Sequence, residues 1–262
     1  VNAIIPAVDS NDAATMTRAA VAQSGCRTVK VKVGDSDLAQ DEARVASIRD
    51  VLDTLLGRGR GAIRVDANGG WDVTAAAAAL RRLGAYDIEY VEQPCRTVEE
   101  LKELRRLTDV PIAVDETVRH ADDPTAVRVH EFADVAVLKA APLGGVAAAM
   151  RVAQSLDVPV VVSGSLDSSV GLSVGLVLAG ALDDLPYACG FGTGALLAAD
   201  LVTDSSQPEQ GVLAVGRVAP ELPALLAARD RLGDERAAWW RERLVAAWSA
   251  GTDVRLGRLV GE

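Results

Sequence analysis

Short apolar runs alternate with longer stretches in which apolar residues recur every three or four positions, over the first two thirds of the chain. This alternation predicts a series of β-strands, each followed by an amphipathic helix. The predicted strands are residues 2–7, 28–33, 62–67, 87–92, 112–115, 135–139, 158–162 and 187–191. The predicted helices are residues 12–24, 38–56, 73–83, 98–107, 146–156 and 170–181, with a weaker helix at 124–130.

Eight strands that alternate with helices favour a closed parallel α/β barrel, because the crossover helices cover the outside of the sheet. A doubly wound open sheet is the alternative, and the lack of a GxGxxG fingerprint after the first strand argues against it. We therefore predict a TIM-like (β/α)8 barrel, in a modified (β/α)7β form, over residues 1–206.

The alternation stops after Gly194. Residues 207–215 are predicted to be extended, and residues 223–248 to be helical with a break at Gly233. We expect residues 207–262 to form a C-terminal helical extension that packs on the barrel. Its three tryptophans are predicted to lie in the core, and they are Trp239, Trp240 and Trp248.

The second predicted strand places two lysines on one face. Lys30 and Lys32 alternate with Val29, Val31 and Val33, and a β-branched face has to meet the covering helices. The lysines then point into the space that the sheet encloses, where repulsion and lost hydration lower the pKa of a lysine towards the general-base range. The alternative is an edge strand with solvated lysines.

The distribution of lysines along the chain favours an interior position for Lys30 and Lys32. Of 27 lysines and arginines, only four are lysines: Lys30, Lys32, Lys102 and Lys139. Three of the four lie in or at the end of a predicted strand, whereas arginine supplies the other positive charges. Because arginine stays protonated near neutral pH and lysine can act as a base, this distribution indicates that the lysines have chemical roles.

Three further strands end in an acidic residue, namely Asp66, Glu92 and Asp115. The carboxyl ends of parallel strands meet at one rim, and neighbouring strands are about 4.8 Å apart. Carboxylates so close raise one another's pKa, and a hard divalent cation resolves the conflict. We predict Mg²⁺, with Mn²⁺ as an alternative. For each acid alone, a helix N-cap or a solvated loop is the other interpretation.

Lys139 ends the sixth strand, which lies opposite the second strand in an eight-stranded barrel. Lys32 and Lys139 would then face each other across the mouth. This arrangement suits removal of a proton next to a carboxylate, with the cation and the opposite lysine stabilising the resulting enediolate. A surface lysine, or a salt bridge to Glu131 or Asp134, is the alternative for Lys139.

Charge and cysteine usage limit the partners. The formal net charge is −10 and no basic stripe occurs, which argues against nucleic acid. No apolar run is long enough for a membrane span. The three scattered cysteines indicate free thiols in a reducing cytoplasm. We expect a small-molecule carboxylate substrate, and a monomer is compatible with the sequence.

Two glycine-rich loops follow the last two predicted strands, at residues 163–165 and 190–194. Backbone N–H groups in such loops can bind an anion. A phosphate and a second carboxylate are both possible ligands, and an ordinary turn is the alternative.

The ordered set of strand-end motifs resembles the enolase superfamily, and within it the muconate-lactonising branch. The resemblance covers residues 2 to about 194. The motifs that carry it are Lys30-Val31-Lys32, Asp66-Ala67-Asn68, Val91-Glu92-Gln93-Pro94, Val114-Asp115-Glu116 and Leu138-Lys139.

The resemblance implies roles for these side chains. Asp66, Glu92 and Asp115 would be the metal ligands. Lys32 would be the base and then the acid, whereas Lys139 would stabilise the enediolate from the opposite side. Lys30 would tune Lys32 and help to hold the substrate carboxylate. Asn68 would support the site. The succinyl group of the substrate would be bound by Ser163, Ser165 and Gly190.

Within the branch, the chain is most similar to the dehydratases, which are lyases of menaquinone synthesis. The implied reaction converts 2-succinyl-6-hydroxy-2,4-cyclohexadiene-1-carboxylate to o-succinylbenzoate. A racemase of N-acylated or N-succinylated amino acids is the nearest alternative, because opposed lysines suit two-base exchange. A barrel that binds an anionic ligand without catalysis is a third possibility.

Two features depart from the family pattern. The family has an N-terminal capping domain, and we expect it to be missing or to lie outside the given residues. The loop at residues 190–194 lacks the Asp-x-Asp of dipeptide epimerases, which argues against a dipeptide substrate.

Overall fold

The computed structural model describes residues 1–35 and 37–260, with side chains described as far as residue 250. Seven parallel strands form one sheet and neighbour one another in chain order. The strands are β1 (Asn2–Ile5), β2 (Thr28–Lys32), β3 (Ala62–Asp66), β4 (Ile88–Glu92), β5 (Ile112–Val114), β6 (Val135–Leu138) and β7 (Val160–Val162). The first seven predicted strands are therefore confirmed, with small differences at their ends.

Helices follow the strands and cover the outer face of the sheet, and two further helices lie in the C-terminal part of the chain. They are α1 (Ser10–Ser24), α2 (Leu38–Leu56), α3 (Val73–Leu83), α4 (Val98–Leu104), α5 (Glu116–Arg119), α6 (Val146–Ser155), α7 (Ser169–Ala181), α8 (Leu222–Leu232) and α9 (Asp234–Val260). Side-chain oxygens that accept backbone N–H bonds define several helix starts. These capping residues are Asp9, Asp37, Asp72, Thr97 and Ser168.

The weak helix predicted at residues 124–130 is wrong. Two 3₁₀ turns, Pro124–Ala126 and Val129–Glu131, occupy this stretch. The Asp123 side chain accepts the N–H of Thr125 and so caps a single turn. The first turn ends at Val127, which is extended, and a continuous helix does not form.

The predicted eighth strand is reduced to a bridge between Ser163 and Gly190. The segment nevertheless fills the eighth position, because it bonds on both sides. Gly190 N–H donates to Val162 O at 2.8 Å, and Asn2 N–H donates to Cys189 O at 2.9 Å. These bonds join β7 to β1 and close the barrel, which confirms the predicted fold class.

A buried arginine lies inside the barrel. Arg64 is fully buried and pairs with Glu89, and its Nη1 donates to the carbonyl of Ala188 at 2.6 Å. Its guanidinium stacks 4.7 Å from the ring centroid of Tyr90 and 5.7 Å from that of Tyr187. Arg64 therefore ties β3 and β4 to the segment that fills the eighth position.

The C-terminal helices break at Gly233, as predicted, where φ is +75°. The prediction that the tryptophans lie in the core is wrong. Trp239, Trp240 and Trp248 are 38%, 49% and 72% exposed. The side chains of α8 and α9 described as far as residue 250 are mostly exposed. Trp239 and Trp240 contact each other edge to face, and the guanidinium of Arg236 lies 4.1 Å from the ring centroid of Trp239, so these rings contact side chains of their own helix. The domain division at residue 206 stays a prediction.

A tight turn between Glu209 and Val212 interrupts residues 207–215, so the prediction of one extended segment is wrong. Gln210 (φ +51°) and Gly211 (φ +78°) both take left-handed backbone, which reverses the chain. The N–H of Gly211 donates to Ser24 O at 2.6 Å, so the turn attaches to the end of α1.

None of the helices in the described residues combines the length and the apolar character that crossing a membrane requires.

Replacing Gly192 with alanine should destabilise the protein by about 1–3 kcal/mol, because small-to-large changes at close contacts force the backbone apart. A Cβ at Gly192 would collide with the carbonyl oxygen of Asn2 and lie 3.1 Å from Cα of Ala3. The free energy of unfolding in urea measures the effect. Gly216→Ala is the control, since no described atom lies within 4 Å of its added Cβ. Equal losses in both variants would contradict this account of barrel closure.

Candidate active site

Strand β2 carries the two lysines into the barrel, as predicted. Val29, Val31 and Val33 are buried against the helices. The side chain of Lys30 is 6% exposed, and that of Lys32, nearer the mouth, is 32% exposed. Because β2 pairs with a strand on each side, the edge-strand alternative is wrong.

The lysines bind the carboxylates of the next two strands. Lys30 Nζ donates to Oε1 and Oε2 of Glu92 at 2.8 and 2.9 Å, and lies 3.2 Å from Asp66 Oδ2. Lys32 Nζ donates to Asp66 Oδ2 and to Asn68 Oδ1, both at 2.6 Å. The register explains this convergence, because Lys32 pairs with Asp66 and Asp66 pairs with Glu92.

For both Asp66 and Lys30, burial and the neighbouring charges shift the pKa in opposite directions. Burial alone would raise the pKa of Asp66, but the ammonium groups of Lys30 and Lys32 outweigh it and lower the pKa of Asp66 to about 2. Burial alone would lower the pKa of Lys30, but the charges of Glu92 and Asp66 outweigh it and raise the pKa. The expectation of a lowered lysine pKa is therefore wrong for Lys30, which stays protonated.

The pKa of Glu92 shifts in the opposite direction from that of Asp66. Burial raises the pKa of Glu92 to about 7, and the charges of Asp66 and Asp115 add to this effect, whereas Lys30 partly offsets it. The influence of two other carboxylates on one group places all three acids in a single electrostatic cluster.

Lys139 follows β6 and binds the third acid. Its Nζ donates to Asp115 Oδ2 at 2.5 Å, and its side chain is only 15% exposed. Arg119 Nε donates to the other oxygen, Asp115 Oδ1, at 2.9 Å. Each oxygen of Asp115 thus has its own positively charged partner.

The alternatives weighed for Lys139 are wrong. Glu131 pairs with Lys102 at 2.7 Å, and Asp134 pairs with Arg105 at 2.7 Å. Both acids lie outside the cluster and have their own exposed partners.

The sequence analysis gave no role to Arg119 or to Glu116, although Glu116 lies in one of the resemblance motifs, and both contact the site. Arg119 Nη2 donates to Glu116 Oε1 at 2.7 Å, and Asn68 Nδ2 donates to the same oxygen at 3.3 Å. Both residues lie on α5, which is too short to show an amphipathic period. The available signal was the spacing of Asp115 and Arg119, four residues apart, which allows an ion pair within one helical turn.

Two loop residues at the rim take left-handed backbone, Asn68 (φ +46°) and Gln93 (φ +40°). Gln93 Oε1 accepts the N–H of Asp115 at 3.1 Å and that of Thr117 at 3.2 Å. Its Nε2 donates to Cys95 O at 2.9 Å. These bonds hold a conformation that is unfavourable for a residue with a side chain. They also fix the start of α5, where Asp115 stands.

Ser163 and Gly190 lie together where the barrel closes. Ser163 is buried, and its Oγ is 3.2 Å from the carbonyl oxygen of Gly190. Ser165 is exposed, and its N–H donates to Asp167 Oδ2 at 2.8 Å. The N–H groups of Gly164 and Gly190 donate to backbone carbonyls. These three N–H groups are therefore not free to bind an anion, contrary to expectation, and the substrate roles of Ser163, Ser165 and Gly190 stay predictions.

The acids fit a divalent cation in donor chemistry, and two of them, Asp66 and Glu92, lie close enough together for one ammonium group to contact both. Within the described residues, no three acidic, histidine or cysteine side chains are already arranged around an open metal position. A lysine ammonium group contacts each of the three acids. Lys30 Nζ reaches both Asp66 and Glu92, so one cation can contact both acids. Hard oxygen donors suit Mg²⁺ or Mn²⁺ once the ammonium groups release them.

Known proteins share this architecture and much of this sequence. Residues 12–223 match the family model described as enolase C-terminal domain-like, and the chain belongs to that family. The sequence resemblance to the enolase superfamily is thus confirmed.

Two curated relatives carry the same name. The chain is 48% identical over 259 residues to "o-succinylbenzoate synthase" of Thermobifida fusca (strain YX), covering 97% of this chain and 76% of that protein. It is 48% identical over 255 residues to the protein so named in Mycobacterium leprae (strain TN), covering 95% and 71%. The chain therefore spans about three quarters of these relatives.

A muconate lactonizing enzyme from Pseudomonas fluorescens, solved with muconolactone, superposes with a TM-score of 0.76 at 22% identity. The match covers 87% of this chain and 62% of that chain, so this chain spans less than two thirds of it. At this identity the likeness supports the fold alone.

Divalent-cation affinity should fall about tenfold between pH 8 and pH 6. Without the cation, Glu92 has a pKa of about 7, so below that pH a proton must leave before the carboxylate can bind. Calorimetric titration with Mg²⁺ at both pH values, each in two buffers of different ionisation enthalpy, measures affinity and proton release. Glu92→Gln should bind more weakly and lose most of the pH dependence. Wild-type affinity that is equal at both pH values would contradict this assignment.

Proposed function

We propose that the chain carries the catalytic barrel of a divalent-cation-dependent dehydratase of the o-succinylbenzoate synthase type. The observation that carries the proposal is the placement of two lysines on opposite strands of one rim, each bound to a carboxylate of the cluster. The names of the curated relatives support it. The proposed substrate is 2-succinyl-6-hydroxy-2,4-cyclohexadiene-1-carboxylate.

In this proposal Lys32 acts on both halves of the reaction. In its neutral form it accepts the proton from the ring carbon next to the carboxylate, which breaks the C–H bond. It then returns that proton to the departing hydroxyl group as the C–O bond breaks, and water leaves. The ring becomes aromatic, which drives the second step. Asn68 holds Lys32 Nζ through a bond of 2.6 Å and so limits its direction.

The proposed ligands of the cation are Asp66, Glu92 and Asp115, with Mg²⁺ preferred and Mn²⁺ as the alternative. When bound, the cation supplies positive charge that stabilises the substrate carboxylate as negative charge develops on it. The three acids are each at most 1% exposed, so their charges act in a poorly hydrated environment.

Lys139 and Lys30 supply fixed positive charge in the proposal. Lys139 lies across the mouth from Lys32 and stabilises the enediolate charge after proton removal. Lys30 is buried and protonated beside Glu92, so it holds the acids and does not act as a base. We propose that the hydroxyl groups of Ser163 and Ser165 bind the succinyl group, because the backbone N–H groups are occupied, and that Gly190 leaves the space for Ser163, whose Oγ would lie 2.5 Å from a Cβ at position 190.

Lys32→Ala and Lys139→Ala should each lower kcat for dehydration by about 10³-fold, within the range that general acid–base and electrostatic groups contribute. Formation of o-succinylbenzoate, followed by chromatography, measures the rate. Lys102→Ala is the matched control. Lys102 is a surface lysine paired with Glu131, so its loss should change kcat by less than about twofold.

Two experimental outcomes would favour one of the alternative functions over the proposed dehydratase. Efficient racemisation of an N-succinylamino acid beside negligible dehydration would indicate the racemase alternative. In that case both lysines would be needed as bases. Tight calorimetric binding of o-succinylbenzoate with no turnover of either substrate would indicate a binding barrel instead.

A further inference from the structure

The carboxylate of Asp115 is shared between two cations, one on each oxygen. Lys139 Nζ bonds to Oδ2 at 2.5 Å, and Arg119 Nε bonds to Oδ1 at 2.9 Å. The side chain of Asp115 is 1% exposed, so water contributes little to its charge balance.

Glu92 is the internal comparison. Its carboxylate is also 1% exposed and also faces a lysine, but no arginine bond to it is recorded among the described residues. There Lys30 Nζ binds both oxygens, at 2.8 and 2.9 Å. Lys30 thus contacts both oxygens of Glu92, whereas Lys139 contacts a single oxygen of Asp115, whose other oxygen is bound by Arg119.

The second arm of Arg119 connects to the opposite lysine. Arg119 Nη2 and Asn68 Nδ2 both donate to Glu116 Oε1, at 2.7 and 3.3 Å. The amide oxygen of Asn68 accepts from Lys32 Nζ at 2.6 Å. Arg119 is thus anchored at two points, and its guanidinium cannot follow Asp115 freely.

We propose that Arg119 is a positioning residue that holds Asp115 Oδ1 apart from Lys139, so that an incoming divalent cation displaces one ammonium contact instead of two. The inference rests on the proposed function, because it takes Asp115 to be a cation ligand. It adds a residue outside the predicted site to the set that controls cation entry.

The direction in which cation affinity changes when Arg119 is removed distinguishes a positioning role from simple charge repulsion. Arg119 is a positive charge near the cation site, and its removal alone would tighten divalent-cation binding through reduced repulsion. If Arg119 positions Asp115, its removal lets Lys139 close on both oxygens, and binding weakens. Residues behind metal ligands typically change affinity or activity by about 10–100-fold.

Mn²⁺ titration of the substrate-free protein, followed by electron paramagnetic resonance of the free ion, tests the inference without the dehydration assay. Arg119→Met should weaken Mn²⁺ binding by about tenfold. Arg119→Lys keeps a donor for Oδ1 and should recover affinity to within about threefold of the wild type. The urea midpoint of each variant shows whether any loss follows from unfolding.

Arg105→Met is the matched control, because Arg105 also pairs with an aspartate, Asp134, at 2.7 Å but in an exposed setting outside the cluster. It should leave Mn²⁺ affinity unchanged. Unchanged or tighter binding in a folded Arg119→Met variant would overturn the inference.

The Asp115→Asn variant distinguishes failure of the inference about Arg119 from failure of the proposed function. If Asp115→Asn weakens Mn²⁺ binding and Arg119→Met does not, the inference about Arg119 alone is wrong. If Asp115→Asn leaves the affinity unchanged, Asp115 is not a cation ligand, and both the cation assignment and the inference are wrong.

Discussion

Three buried carboxylates at one rim of a barrel require positive charge beside them, and the arrangement of the site follows from this requirement. Asp66 and Glu92 lie in register on adjacent strands and are each 1% exposed, so like charges sit close together in a poorly hydrated interior. Lys30 bridges them, Lys32 adds a second charge to Asp66, and the third acid is neutralised from two sides. In the proposed function a divalent cation takes over part of this role, and the lysine contacts account for a cluster that is stable without the ion.

The fold holds these charges by bringing parallel strand ends to one edge. Strand β2 supplies lysines and the neighbouring strands supply acids, so register alone places Lys32 beside Asp66. Closure of the ring depends on the segment around Gly190, which bonds to β7 and β1 without being a regular strand. The left-handed backbone of Gln93 and its side-chain bonds then fix the loop from which α5 starts. Rigid strands thus position most of the charges, and bonded loops position the remainder.

The sequence predicted the parts of this site that depend on strand periodicity. Alternation placed Lys30 and Lys32 inside the barrel, and the strand-end acids were found because parallel ends share one rim. Residues that depend on tertiary context were not found. Arg119 lies on a single helical turn that is too short to show an apolar period. The tryptophans of α9 are exposed, although tryptophan is a residue type that is usually largely buried. The direction of the Lys30 pKa could not be predicted either, because it depends on two carboxylates contributed by other strands.

The most direct test of the central claim is a crystal structure of the protein with Mn²⁺, with the ion located by its anomalous scattering. The account predicts one ion bonded to oxygens of Asp66, Glu92 and Asp115, with Lys139 moved away from the carboxylate that it holds without the ion. An ion bound elsewhere, or three acids still held by their ammonium partners at saturating Mn²⁺, would contradict the claim.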